Sequence, residues 1–125
     1  MTKTDTYTLA ELQAMADVDL NALAAELRGV KCWQEDEYTY AEIGGKEKLW
    51  RPATNRNQSG ELLEWFMTQN ESHSFSVIKG RLTCRVRLET TEDTTEIWRE
   101  QGESLARLET IAFCAAMLAM KGRLK

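Results

Sequence analysis

Residues 74–98 read SFSVIKGRLTCRVRLETTEDTTEIW, and the alternation in this stretch decides the fold. Phe75 and Val77 alternate with Ser74 and Ser76. After Lys79-Gly80, Leu82, Cys84, Val86 and Leu88 alternate with Arg81, Thr83, Arg85 and Arg87. After Thr90–Asp93, Thr95 and Ile97 alternate with Glu96 and Trp98. A period of two is that of a strand with one face buried. The pattern therefore predicts a three-stranded antiparallel meander at about 73–78, 81–89 and 94–100. A two-residue turn at Lys79-Gly80 would pair Val77 with Leu82 and Phe75 with Cys84. A four-residue loop at Thr90–Asp93 would pair Val86 with Ile97 and Arg87 with Glu96. Both turns set apolar opposite apolar on one face. They place Ser74, Arg85 and Trp98 in one row on the other.

Helical signals surround this sheet. Thr8 and Glu11 form a capping box, with Leu9, Leu12, Met15 and Ala16 on one face of the first turns. Asp17 and Asp19 are candidate caps for a continuation or a second helix, in which Leu20, Leu23, Ala24 and Leu27 recur at helical spacing, stopped by Gly29. An aromatic β region follows, with Cys32-Trp33 and Tyr38-Thr39-Tyr40, a charge run Glu35-Asp36-Glu37 in a turn, and a hairpin turn at Gly44-Gly45 returning along Lys46 to Trp50. Pro52, the single proline, ends that strand. Ser59 or Asn57 can cap a middle helix from about Gly60 to Gln69. A last helix is predicted from about Glu103 to Met120, with Leu105, Leu108, Ala112, Ala115 and Ala119 forming a small-residue face. No charge occurs between Ile111 and Met120, and Phe113, Met117 and Met120 make the opposite side apolar as well. A helix apolar all round is buried on both sides, so its back must be covered by the N-terminal helix or by a second subunit. Homo-oligomerisation through this helix is expected. The fold class is α+β, with N-terminal, middle and C-terminal helices packed on antiparallel sheet, in a single domain spanning residues 1–125.

Composition bounds the function. At 125 residues a chain buries roughly two-thirds of its unfolded surface and needs no metal or disulfide staple. The net charge of −4 argues against nucleic acid as a partner, which would require a local basic patch to overcome that field. No apolar run reaches the roughly 18 residues of a membrane span, and the first residues lack the apolar core of a signal peptide. The expected location is cytoplasm. Cys32, Cys84 and Cys114 form no CxxC pair, so no structural zinc is expected and the thiols read as small buried hydrophobes. The one histidine, His73, falls at a strand start on the core side. With no Ser–His–Asp arrangement or paired carboxylates, no catalytic residue, metal or cofactor is predicted.

Two surfaces carry binding chemistry. Lys79, Arg81, Arg85 and Arg87 occur with no acid among residues 79–88, and Arg85 is predicted opposite Trp98 with Ser74 beside it. Arginine next to an aromatic suits a phosphate and a stacked base. The same residues also fit simple cross-strand pairing, Arg87 with Glu96 and Arg85 with Trp98, and the acids Glu89, Glu92, Asp93, Glu96, Glu100 and Glu103 offset the basic strand. The second surface is the loop Trp50–Gln58. Its Thr54, Asn55 and Arg56 stand near a helix N-terminus, where backbone amides attract anions. It lacks the glycine spacing and Gly-Lys-Ser/Thr ending of a P-loop, and a capped connection would use the same residues.

Three segments carry a family resemblance. Trp50-x-Pro52-x-Thr54, a polar loop and Gly60-Glu61-Leu62-Leu63 resemble the Trp-Asn-Pro-Leu-Thr segment and Leu-rich helix of small phage proteins of the ABA-sandwich domain family. Asp19 to Glu26 followed by Trp33 resembles the N-terminal helix and tryptophan of that group, and Ile111 to Ala119 resembles its closing helix. The chain departs from the group at Asn55-Arg56-Asn57, where acids are usual, and at Phe113 and Cys114, which replace polar positions. The resemblance implies a phage or prophage origin, host-cell cytoplasm and a layered α+β fold. It assigns no catalytic residue. The expected function is that of a phage accessory protein acting in counter-defence by binding or sequestering a host nucleotide-type signal. Alternatives are a protein–protein inhibitor that docks a host enzyme, and a nucleic-acid-binding module.

Overall fold

In the computed structural model, residues 6–69, 74–79, 84–89, 94–98 and 104–124 are described. They form four helices and two three-stranded antiparallel sheets, an α+β fold. Helix α1 (Leu9–Ala14) starts at the predicted capping box: the Glu11 N–H donates to Thr8 Oγ1 at 3.1 Å, and the Thr8 N–H donates to Glu11 Oε1 at 3.1 Å. Helix α2 (Asp17–Arg28) has Ala16 at its N-cap, without a side-chain bond. Asp17 and Asp19 therefore sit inside the first turn rather than capping it, where their charges still favour the helix dipole. Gly29 stops α2 at φ 81, a left-handed conformation that a Cβ disfavours, and donates to the carbonyls of Ala25 and Glu26.

Strands β1 (Lys31–Glu35), β2 (Tyr38–Ile43) and β3 (Lys46–Leu49) make the first sheet. Its second hairpin turns on Gly44 and Gly45, both at positive φ, as a two-residue turn matched to strand twist requires. Thr39 and Ala41 face inward toward α2 and are buried, while Tyr38 and Glu42 on the opposite face are exposed.

Helix α3 spans Arg56–Gln69 and begins four residues before the predicted Gly60. Neither Ser59 nor Asn57 caps it. Asn55 Oδ1 accepts from the Gln58 N–H at 3.2 Å, and this bond fixes the earlier start. Ser59 is instead fully buried within the helix.

The second sheet comprises β4 (Ser74–Lys79), β5 (Cys84–Glu89) and β6 (Thr94–Trp98), which matches the predicted meander. The β5–β6 register is the predicted one, with Arg85 opposite Trp98, Val86 opposite Ile97 and Arg87 opposite Glu96. The β4–β5 register differs by four residues: Val77 pairs with Val86, Phe75 with Leu88 and Lys79 with Cys84. An even shift leaves every residue on its own face, so alternation alone cannot distinguish the two registers. The observed one aligns all three strands over the same span. It also removes Ser74 from the Arg85–Trp98 row. Ser74 stands opposite Glu89, and Ile78 takes the position across from Arg85. Lys79 is the last residue of β4 and pairs with Cys84, so it is not half of the predicted two-residue turn. Gly80, Arg81 and Leu82, like His73, lie outside the described residues.

Helix α4 (Leu105–Met120) is capped by Ser104, whose side chain accepts from the Arg107 N–H. Every residue from Leu108 to Leu118 is buried. Helices α1, α2 and α3 and strands β5 and β6 all contact it. The apolar circumference that motivated oligomerisation through this helix is thus covered by the chain itself; of the residues named, Met120 is exposed. Phe113 lies at the centre of the core, 6.1 Å from the Trp65 ring and 6.5 Å from Phe66 in an edge-on arrangement. Tyr7, before α1, bridges Leu124, beyond α4.

Candidate functional site

The Trp50–Gln58 loop is built into the fold by its polar groups. Trp50 is buried, and its indole Nε1 donates to the Asn21 carbonyl at 2.7 Å. The Ala53 N–H donates to Asn21 Oδ1 at 2.9 Å, so one α2 residue holds both ends of the Trp-x-Pro turn. The Gln58 side chain closes the loop from the other direction, donating to the Leu49 carbonyl at 2.6 Å and accepting from the Arg51 N–H at 2.7 Å. Of the predicted contact residues, Thr54 donates to the Arg51 carbonyl, Asn55 caps α3, and Arg56 Nε donates to Glu109 Oε1 at 3.1 Å. The amide-rich loop is thus a capped connection whose donors are largely committed internally. Arg56 keeps the greatest freedom, with its side chain 57% exposed.

Glu109 is the buried end of that pair. It is 3% exposed, and its Oε1 also accepts from Ser59 Oγ at 2.9 Å. Arg107, two residues earlier and so about half a turn away, reaches the opposite side of α4. Its guanidinium donates to Asp17 Oδ1 at 2.6 Å and to the carbonyls of Gln13 and Met15 at 2.8 and 2.6 Å, pinning the α1–α2 joint. Asn21, Arg107 and Glu109 were not singled out from sequence. The one available signal is that Arg107 and Glu109 are the only charges in an otherwise apolar helix.

The sheet-face candidates are placed by register. Arg85 is across from Trp98, and Arg87 is across from Glu96, in the middle strand of the second sheet. Burial pushes the pKa of Cys32 up and that of the wholly buried Cys114 up strongly, which disfavours the nucleophilic thiolate in both. Among the described residues no three His, Cys, Asp or Glu groups gather as a metal site.

No family model, curated protein or solved structure matches this chain. Its surface must be read from its own geometry. Two hollows flank α2. A groove of about 620 Å³ runs between α2, Tyr7 and β1, bordered by Met15, Leu23, Val30 and Cys32 and by the acids Asp19 and Glu26. A cleft of about 210 Å³ lies on the other flank, between Val18, Tyr38, Leu49, Trp50 and Arg51. Val18 and Tyr38 on its rim are 41% and 49% exposed, two of the three large exposed hydrophobics among the described residues. On the outer face of the first sheet, Trp33 stacks on Tyr40 with ring centroids 6.3 Å apart, and Lys31 Nζ lies 6.0 Å from the Trp33 ring. No helix long and apolar enough to cross a membrane is found among the described residues.

Proposed function

We propose that this chain is a non-catalytic phage accessory protein that binds a nucleotide-type host signal at one end of the β5–β6 pair of its second sheet. The observation that carries this reading is the juxtaposition of Arg85 and Trp98 on β5 and β6. Guanidinium recognises phosphate through a planar fork of donors, and an indole stacks on a base irrespective of its identity. Phage origin and counter-defence rest on the resemblance of Trp50-x-Pro52-x-Thr54, the α2 sequence and the α4 sequence to the ABA-sandwich group. The loop residues Thr54, Asn55 and Arg56 are secondary here, because their bonds already serve the fold. Titration calorimetry of the full chain against cyclic mono-, di- and oligonucleotides and ADP-ribose derivatives tests the reading. Saturable heat with at least one member is expected. No heat with any of them, at protein concentrations well above micromolar, overturns it.

A second reading, docking to a host protein, is favoured by the exposed Val18 and Tyr38 on the rim of one cleft. Exposed apolar side chains with charged groups beside them, here Asp17, Glu37 and Arg51, have the composition of a small protein-binding patch, an apolar centre with a polar rim. It predicts a stoichiometric protein complex that Val18→Lys abolishes and Arg85→Ala leaves intact.

A further inference from the structure

Among the described residues, strand β1 has β2 as its only strand partner, and no backbone hydrogen bond reaches it from the other side. An open edge of this kind is a template for another strand. Its sequence is Lys31-Cys32-Trp33-Gln34-Glu35, with opposite charges at the two ends and its apolar residues inside. We propose that the occupant of this edge is a second copy of the chain, paired antiparallel through β1 to give a continuous six-stranded sheet.

Symmetry and charge select both the partner and the register. A two-fold axis normal to the sheet keeps each residue on its own face, so only registers centred on a residue are allowed. Centring on Trp33 pairs all five residues. It sets Lys31 opposite Glu35 of the second copy, twice, with Cys32 opposite Gln34 and Trp33 opposite Trp33. Lys31 and Glu35 are exposed and on the same outer face as Trp33, where Lys31 already lies over the indole. Opposite charges directly across a strand pair attract, and like charges repel.

The other edge of the same sheet makes the contrast. Strand β3 reads Lys46-Glu47-Lys48-Leu49, and its residue-centred registers bring Lys46 against Lys48 with Glu47 against itself, or Lys48 against itself. Its carbonyl at Leu49 is also taken by Gln58. β3 is therefore guarded against self-pairing, and β1 is complementary to itself. The acids Asp19 and Glu26 line the groove on the inner side of β1 and oppose close approach there. The contact is one strand pair and small, at the low end of specific interfaces, so a dissociation constant of about 1–100 μM is expected.

Sedimentation of the full chain from about 1 to 300 μM, a range set to bracket that affinity, tests the proposal with two charge reversals. Lys31→Glu and Glu35→Lys should each weaken the dimer by about tenfold or more, because two attractive pairs become repulsive. Both side chains are exposed, so far-UV dichroism should not change. Mixing the two variants should restore association as a heterodimer, and the double variant K31E/E35K should dimerise like the native chain. A monomer across the range, or a dimer that both single reversals leave unchanged, would overturn the proposal. So would variants that fail to associate when mixed.

Discussion

Asn21 does more for this fold than its place on the buried face of α2 suggests. Its carbonyl and its side chain bind Trp50 and Ala53, residues about thirty positions away in the chain. Replacing Asn21 by Ala strips the buried Ala53 N–H of its acceptor, and an unsatisfied buried donor costs about 1–3 kcal/mol. Urea unfolding of Asn21→Ala should show a loss of that order with an unchanged m-value. The Arg56–Glu109 pair supports an asymmetric prediction. Removing Arg56 leaves a buried carboxylate held by Ser59 alone, whereas Glu109→Met removes the buried charge and lets the exposed guanidinium turn to water. Arg56→Ala should therefore destabilise the protein more than Glu109→Met, by about 1–2 kcal/mol, less than the roughly 3–5 kcal/mol of a fully buried pair because Arg56 is already half in solvent. Equal losses in the two denaturation curves would mean that the pair does not carry the buried charge. Neither Asn21 nor Glu109 was legible in the sequence. Their value comes from partners 29 to 53 residues distant, which no local pattern records.

Elements set by local rules were readable from the chain alone. Thr8 and Glu11 mark the start of α1, Gly29 the end of α2, and Gly44-Gly45 a hairpin, because each depends on a conformation or a hydrogen bond within a few residues. The α3 start was misplaced for a related reason: several polar residues in the loop are competent caps, and tertiary bonds from Gln58 to Leu49 and Arg51 select Asn55. The β4–β5 register was misplaced by four because strand alternation repeats every two residues, so any even shift satisfies it. This register is directly measurable. Cross-strand NMR contacts should connect Val77 with Val86 and Phe75 with Leu88. Contacts joining Val77 to Leu82 instead would restore the tighter hairpin. Gly29→Ala probes the α2 end: at φ 81 the added Cβ strains the backbone, and a loss of about 1–2 kcal/mol in thermal or urea unfolding is expected.

At the scale of the whole molecule, α4 is the organising element. It touches every other helix and two strands of the second sheet, so its apolar surface is used up within one chain. We propose that the sheets, rather than the core helix, are the surfaces on which the protein meets partners. The first sheet offers the β1 edge, and the second carries Arg85 opposite Trp98 on β5 and β6. The most direct test of this account is calorimetry with the nucleotide panel on three proteins: native, Arg85→Ala and Arg56→Ala. Binding that Arg85→Ala abolishes and Arg56→Ala retains is the predicted result. Binding that depends on Arg56 and ignores Arg85, or no binding to any nucleotide, would contradict it.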